Sequence, residues 1–498
     1  MDERRRWMRV SVAFVCYILF AAVLPAADDE VYYWCWSKDL QWSYYDHPPM
    51  TAVLIRLSTS LAGDTFVGFR LPACVASAFV LYVIDRLSRS SPIVWGVAFS
   101  PLFTIGAILM TPDSPLLMFW AAYVWWLVEL HQRLTPRLEE GQPAPGSINL
   151  AWWLFGGCLL GCGVLSKYTM GLAVPSAFVG LMCARRPWRE WLGGYVMHGV
   201  VAFVVASPIL IYNIGQNFEP LRFQWQHAAQ KSPVAWRSLL DFVGVQVLLF
   251  GTLPFFLLPW VLFNWRRLCQ DARLRVCTTM YAIPVLFFLY KSTQTRLEGN
   301  WALVCFVAIW PLAAAWFDTV SGSKWWRWLT VSGFLPPVIA VVLIGVHLIC
   351  PLTVIPPQLD RVYRQVAIHS ATRDIADRIR EAGQKTPVFA DSYQMTAWLR
   401  FQSLPAQQEF GLSSRPSHFT RPPHRLTDVD QAYVVTQNEM PGELTEGFGP
   451  PELVTSVPVI IRGETIGILN VRRYTRLPGI RETPVTLEKP ELNDVGRE

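Results

Sequence analysis

Charge is what this chain has least of. Only 16% of its 498 residues are Asp, Glu, Lys or Arg, where a soluble globular chain carries about a quarter. An ordinary soluble domain is excluded on that ground. The net charge of +6 sits in short basic clusters between apolar runs. That pattern sets membrane orientation and does not suggest a nucleic-acid partner. No Cys-x-x-Cys pair occurs among the ten cysteines, and none lies beyond Cys350; neither a zinc knuckle nor a disulfide framework is supported. Alternating apolar and polar runs are missing too, which excludes a strand barrel, and there is no internal repeat.

What is present is apolar and aromatic. Hydrophobic residues make up 52% of the chain, with 23 Trp and 28 Phe, as expected for a bilayer protein with aromatic belts. Runs long enough to cross about 30 Å of hydrocarbon fall at 8–26, 66–85, 91–110, 114–131, 148–165, 169–184, 193–213, 241–263, 276–290, 300–317 and 328–350. The reading is about eleven transmembrane helices. The N-terminus imitates a cleaved signal, with a basic start and the small-residue string Ala21-Ala22-Val23-Leu24-Pro25-Ala26-Ala27. The many later spans and the acidic loop that follows at once predict instead a retained first span, Trp7 to Pro25.

With the N-terminus cytoplasmic, the cytoplasmic pieces carry seventeen Lys and Arg and the opposite loops eight. This obeys the positive-inside rule. An odd number of spans then places everything after Cys350 outside, in the periplasm or its equivalent. Residues 28–56, 111–115, 166–169, 214–240 and 291–300 share that outer face, and the unusual residues are concentrated there. The stretch from Asp28 to Arg56 holds five acids, four tyrosines and three tryptophans. Acids held at a membrane boundary need partners or a function.

Beyond Cys350 the composition changes. Residues 371–384 have helical periodicity with a Gly stop, 386–402 read as a short strand and a helix, and 432–437 and 453–475 read as strands with Arg462-Gly463-Glu464 as a hairpin turn. The expected organisation is a transmembrane domain over 1–350, with loop 28–65 carrying the acids, an extracytoplasmic α/β domain over 351–476, and a disordered tail over 477–498.

Six motifs in order carry a resemblance: Asp29-Glu30-Val31-Tyr32-Tyr33-Trp34, Tyr45-Asp46-His47-Pro48-Pro49-Met50, Gly68-Phe69-Arg70-Leu71-Pro72, Thr111-Pro112-Asp113-Ser114-Pro115, Leu165-Ser166-Lys167-Tyr168-Thr169 and Arg296-Leu297-Glu298-Gly299-Asn300-Trp301. Together they resemble the GT-C glycosyltransferases, nearest the bacterial branch of the protein-mannosyltransferase-like family that includes the lipid A aminoarabinose transferase. The likeness covers most of residues 1–320 and extends weakly to Ala390-Asp391-Ser392-Tyr393-Gln394. It implies a polytopic helical GT-C fold and an enzyme that takes a sugar from a polyprenyl-phosphate carrier. The sugar would pass, with inversion, to an acceptor on the outer face, either lipid A, another glycolipid or polysaccharide. Membrane lipids surround the enzyme and no nucleic acid is involved.

Such a reaction needs a carboxylate beside the acceptor oxygen and cations at the departing phosphate. The resemblance places Asp29 at the family's first acidic position, with Glu30 beside it. Asp46 falls at a second acidic position, associated in relatives with the acceptor or a metal. Capping of an interfacial helix is the alternative for Asp28, Asp29 and Glu30, with acids there contributing about 0.3–1 kcal/mol; a turn before Pro-Pro is the alternative for Asp46. Lys167 and Arg296 are the candidate phosphate partners, each a lone cation at an outer helix end; snorkelling would also explain Lys167. His47 stands where the aminoarabinose transferase has a phosphate-contacting lysine, and a histidine is neutral over much of the physiological range. His47 with Asp46 could instead ligate a divalent metal, although no cofactor is required. Asp113 reads equally as a helix cap or a site residue, Glu298 as a partner of Arg296, and Tyr168 and Asn300 as further site candidates.

A transporter or flippase of a lipid-linked sugar would show inverted repeats and broken mid-membrane helices, which the sequence lacks. A polysaccharide polymerase or ligase would show one very large outer loop. A protein O-glycosyltransferase of eukaryotic type would carry a different luminal domain. The Lys/Arg asymmetry makes a direct prediction: a periplasm-active reporter fused after residue 480 is active, and one fused at 270 is silent. The reverse pattern would overturn the placement of the candidate site.

Overall fold

The structure is a computed structural model that describes residues 3–89, 96–97, 100, 104, 106–134, 149–184, 186–229, 235–320, 322–382, 386–409, 411–412, 415–420, 424–437 and 440–478. The span expected at 91–110 lies largely outside these residues, as does the tail from 479 onward.

The helices run α1 Glu3–Val23, α2 Asp28–Lys38, α3 Met50–Ala62, α4 Phe66–Ser88, α5 Asp113–Leu134, α6 Leu150–Ser166, α7 Ala173–Met182, α8 Leu192–Gly215, α9 Glu219–Ala229, α10 Ala235–Phe250, α11 Leu253–Phe263, α12 Trp265–Leu268, α13 Ala272–Ser292, α14 Phe306–Val320, α15 Lys324–Ser332, α16 Leu335–Ile349, α17 Arg361–Glu381 and α18 Tyr393–Phe401. The strands are β1 Val388–Ala390, β2 Ala406–Gln408, β3 Gln431–Thr436, β4 Glu452–Ile461 and β5 Glu464–Thr475. Contacts divide the chain into two units, one of Met1–Leu24 with Leu40–Val346, the other of Pro25–Asp39 with His347–Glu498. Helix α2, which carries the first acidic motif, therefore groups with the C-terminal residues.

The first unit is a helical membrane domain. Among the described residues five helices are long and apolar enough to cross a bilayer, or six with the bent pair α10–α11; several shorter apolar helices accompany them. The expected span at 241–263 is not one straight helix but two, inclined by 100°. Gly251 produces the break: its φ of +73° is a glycine conformation, and a Cβ there would stand 2.0 Å from the Gly333 carbonyl oxygen. The expected span at 169–184 likewise begins as a 3-10 turn, Tyr168–Leu172, before α7. At 328–350 two short helices, α15 and α16, replace one long one.

Within this unit α1 packs on α4, α4 on α5, α5 on α6, and α6 on α8. The last pair is close because α6 presents Gly157 and Gly161 to it. A Cβ on Gly157 would lie 2.6 Å from the His198 carbonyl oxygen, and one on Gly161 2.6 Å from Val205 Cβ. Small residues four apart let helix backbones approach where lipid supplies no hydrophobic drive. The Gly68-Phe69-Arg70 motif has a structural role. Arg70 is fully buried and donates to the Ala21 and Leu24 carbonyls at 3.1 and 2.7 Å, so it satisfies the open C-terminal carbonyls of α1.

The second unit is a five-stranded sheet in the order β2-β1-β3-β5-β4. Strands β2, β1 and β3 are parallel, and β5 is antiparallel to β3 and β4. Phe389, Val434, Phe448 and Tyr474 form part of its core. Arg462 and Gly463 both take positive φ, 51° and 84°, as a two-residue hairpin turn requires. The hairpin read in the sequence is thus present, while β2, only three residues long, was not foreseen. Helix α2 packs on α18, and α17 on β4.

Gly161→Val should wedge α6 from α8. Overpacking of this kind destabilises by roughly 1–3 kcal/mol, and a lowered Tm of the detergent-purified protein would register it. An unchanged Tm would mean the helix contact is not needed for stability.

Candidate functional site

In the membrane unit three motifs converge on one carboxylate. Asp113 is the first residue of α5, where the helix dipole favours negative charge. Lys167 caps the C-terminus of α6 in extended conformation, which turns its side chain out of the helical path. Its Nζ donates to Asp113 Oδ1 at 2.7 Å. Asn300 Nδ2 donates to Asp113 Oδ2, also at 2.7 Å. Both carboxylate oxygens are therefore engaged, and the Lys167 and Asp113 side chains are only 8% and 10% exposed. A buried ammonium this close to a carboxylate forms a strong charge-assisted contact.

The loop that brings Asn300 is itself fastened. Gln246 Nε2 on α10 donates to the Gly299 carbonyl at 3.0 Å. A Cβ at Gly299 would lie 2.2 Å from Val245 Cγ1, so the close approach demands glycine. Arg296 and Glu298 on the same loop are exposed. Among the described residues no ion pair joins them, and the Arg296–Glu298 pairing considered from the sequence is not formed. Arg296 thus stands at the surface of the loop that closes on the Lys167–Asp113 pair.

Asp46 is buried and His47 half-buried. Their backbone fixes a tight turn: the Tyr44 N–H donates to the His47 carbonyl at 3.1 Å, and Gln224 Nε2 donates to the Asp46 carbonyl at 2.9 Å. Tyr168, half-buried at the start of the 3-10 turn, has its hydroxyl beside Ser43 of the same first loop. Among the described residues no three His, Cys, Asp or Glu side chains gather as a metal site would need.

The other acids stand in the second unit, on the first turn of α2, and each does something different. Glu30 is fully buried and its Oε2 accepts the Ala27 N–H at 3.0 Å, the returning half of a capping arrangement. Asp28 anchors the helix: Trp398 Nε1 donates to its Oδ1 at 2.7 Å and Gln365 Nε2 to its Oδ2 at 3.1 Å. Asp29, between them, is exposed and accepts a hydrogen bond from the Tyr393 hydroxyl at 3.2 Å. Around this point the second unit is aromatic. Tyr32 lies 4.7 Å from Tyr393 and 5.1 Å from Phe419 between ring centroids, and its hydroxyl accepts the His418 N–H at 2.8 Å. Burial pushes His418 down to about 4, so it is neutral at physiological pH. Burial raises Asp391, two residues before Tyr393.

Sequence reading did not identify Trp398 and Gln365 as partners of the acidic motif. They lie more than 330 positions away, and nothing local marks them. Tyr393 carried a weak signal, as part of the C-terminal-domain likeness Ala390-Asp391-Ser392-Tyr393-Gln394.

Residues 46–212 match the profile of the dolichyl-phosphate-mannose-protein mannosyltransferase family. With the helical architecture, that match defines the class: a membrane glycosyltransferase of the GT-C fold. Its particular relatives are bacterial. The chain is 26% identical over 384 residues to the lipid A galacturonosyltransferase RgtD of Rhizobium johnstonii, across 74% of this chain and 76% of that one. Its fold follows the crystal structure of ArnT from Cupriavidus metallidurans bound to undecaprenyl phosphate, with a TM-score of 0.63 and 13% identity over 95% of this chain and 98% of ArnT. The apo form of ArnT gives a TM-score of 0.61 and 14% identity over 94% and 98%. The resemblance to the bacterial GT-C branch, read from six short motifs, is borne out.

The buried pair makes a prediction. Asp113→Ala strands the Lys167 ammonium, and an unpaired buried charge destabilises by about 3–5 kcal/mol. The double variant Asp113→Ala with Lys167→Met removes both charges and should recover most of the lost Tm. Equal losses in the two would show that Lys167 reaches solvent without its partner.

Proposed function

We propose that this protein moves a sugar from a polyprenyl-phosphate carrier to a lipid acceptor of the lipid A type, on the periplasmic face of a bacterial inner membrane, with inversion at the anomeric carbon. The convergence of Lys167, Asn300 and the Arg296 loop on Asp113 is the observation that carries the reading. The printed name of the Rhizobium relative supports a lipid A acceptor, and the undecaprenyl phosphate in the ArnT structure supports the carrier. The Lys/Arg asymmetry supports the orientation.

The chemistry asks for unequal treatment of two ends of one bond. As the glycosidic C–O bond breaks, the carrier phosphate gains charge. Arg296 presents a guanidinium fork suited to a phosphate, while Lys167 adds a point charge whose position Asp113 fixes. Two of the three ammonium donors remain beyond the one given to Asp113. His47 contributes a hydrogen bond from the same first loop.

At the other end the acceptor hydroxyl must lose a proton as its oxygen attacks the face of the sugar opposite the phosphate. Asp29 is the carboxylate for that proton. It is the exposed member of its triplet, whereas Asp28 holds the helix and Glu30 caps it. Asp46 is placed in the first loop of the membrane unit to orient the acceptor. An acceptor that is itself an ionised phosphate needs no base, and Asp29 then supplies orientation and negative potential.

Asp29→Asn tests the reading, because it keeps shape and removes charge. General-base assistance amounts to about 10²–10⁴-fold, so turnover in lipid-reconstituted enzyme should fall by that range with donor KM and Tm unchanged. Turnover within about threefold of wild type, under 1 kcal/mol of barrier, would remove Asp29 from the chemistry. Mass spectrometry of glycolipids from a deletion strain identifies the acceptor.

A further inference from the structure

The acidic turn of α2 is held by residues from the far end of the chain, and one of them touches the acid assigned to the chemistry. We propose that Tyr393, in the C-terminal domain, is a positioning residue for the Asp29 carboxylate; this rests on the reading of Asp29 as the acceptor-side carboxylate. The phenol O–H donates to Asp29 Oδ1 at 3.2 Å across 364 positions of sequence.

Tyr393 is placed with care for a residue that would otherwise be a surface tyrosine. Ser392 caps α18, its hydroxyl accepting the Met395 N–H at 3.4 Å, so Tyr393 is the first helical residue and projects from a fixed point. Its ring packs on Tyr32 at 4.7 Å between centroids. The Arg415 guanidinium stands over its other surroundings, 5.1 Å from the ring centroid. A cation near the ring polarises the phenol and makes its O–H a better donor. Meanwhile Trp398 and Gln365 hold the neighbouring Asp28 and the Tyr393 ring packs on Tyr32, so the helix that carries Asp29 is anchored without the Tyr393 hydroxyl.

That division of labour makes the inference separable from structure. A hydroxyl donor restricts the rotation of a carboxylate at an exposed position. It occupies one of about four acceptor positions. Pre-orientation of a reacting group raises turnover and not ground-state binding.

The test is Tyr393→Phe in full-length, lipid-reconstituted protein, assayed with polyprenyl-phosphate sugar and glycolipid acceptor beside wild type and Asp29→Asn. The expected result is a fall in kcat of about ten- to a hundredfold, the effect of one hydrogen bond to a charged group, with donor KM and Tm unchanged. A kcat within threefold of wild type, while Asp29→Asn is inactive, overturns the positioning role and leaves the function intact. If Asp29→Asn itself retains wild-type turnover, the underlying reading of Asp29 fails instead. A lowered Tm with donor KM raised in parallel makes Tyr393 merely structural and overturns the inference as well.

Discussion

A single buried carboxylate holds the membrane unit's candidate site together. Asp113 receives an ammonium on one oxygen and an amide on the other, each at 2.7 Å. Those donors come from the end of α6 and from the loop before α14, so three separated segments meet at one point. The geometry has an electrostatic consequence. A largely buried ammonium needs a counter-charge, and Asp113 supplies one from a helix N-terminus that itself favours negative charge. The pair is close to neutral overall. Arg296, exposed and outside any ion pair among the described residues, is a second cation on the loop that meets this pair, and its charge is not offset as that of Lys167 is.

The acidic motif illustrates how one sequence feature can have several physical explanations, all correct for different residues. Three consecutive acids at a helix start suggest either capping or catalysis. In the structure the capping is done by Glu30, which is buried and bonded to its own helix's first free N–H. Anchoring is done by Asp28, whose two oxygens meet Trp398 and Gln365. Asp29 is the exposed member of the triplet, and its carboxylate accepts from the Tyr393 hydroxyl. A capping function for the triplet therefore does not compete with a chemical one for Asp29.

Much of this was legible in the sequence, for identifiable reasons. Continuous apolar runs marked the helices, and Arg462-Gly463 marked the hairpin, because a two-residue turn with positive φ has few solutions. The meeting of Thr111–Pro115, Ser166–Thr169 and Arg296–Asn300 was legible only as motif order, since no local signal says that Asn300 will reach Asp113. Bends were harder. The apolar run at 241–263 is uninterrupted in hydropathy, yet Gly251 takes a conformation that ends the helix, and the Gly333 carbonyl crowds the turn. Hydropathy is blind to that. The grouping of α2 with the C-terminal residues was hidden for a similar reason: its partners Trp398 and Gln365 lie on helices whose own sequences are unremarkable.

The two aspartates differ most in the kind of partner they have been given. The Lys167 ammonium meets Asp113 at 2.7 Å with a full opposite charge. Asp113, so paired, is committed to holding that cation in place. The contact made to Asp29 from the C-terminal domain is a neutral phenol at 3.2 Å. A neutral donor orients a carboxylate and brings no opposite charge. On the proposed reading, glycosyl transfer asks for fixed positive charge at the phosphate and a directed carboxylate at the acceptor. Partner chemistry, a cation for one and a hydroxyl for the other, is a visible physical difference between two identical side chains.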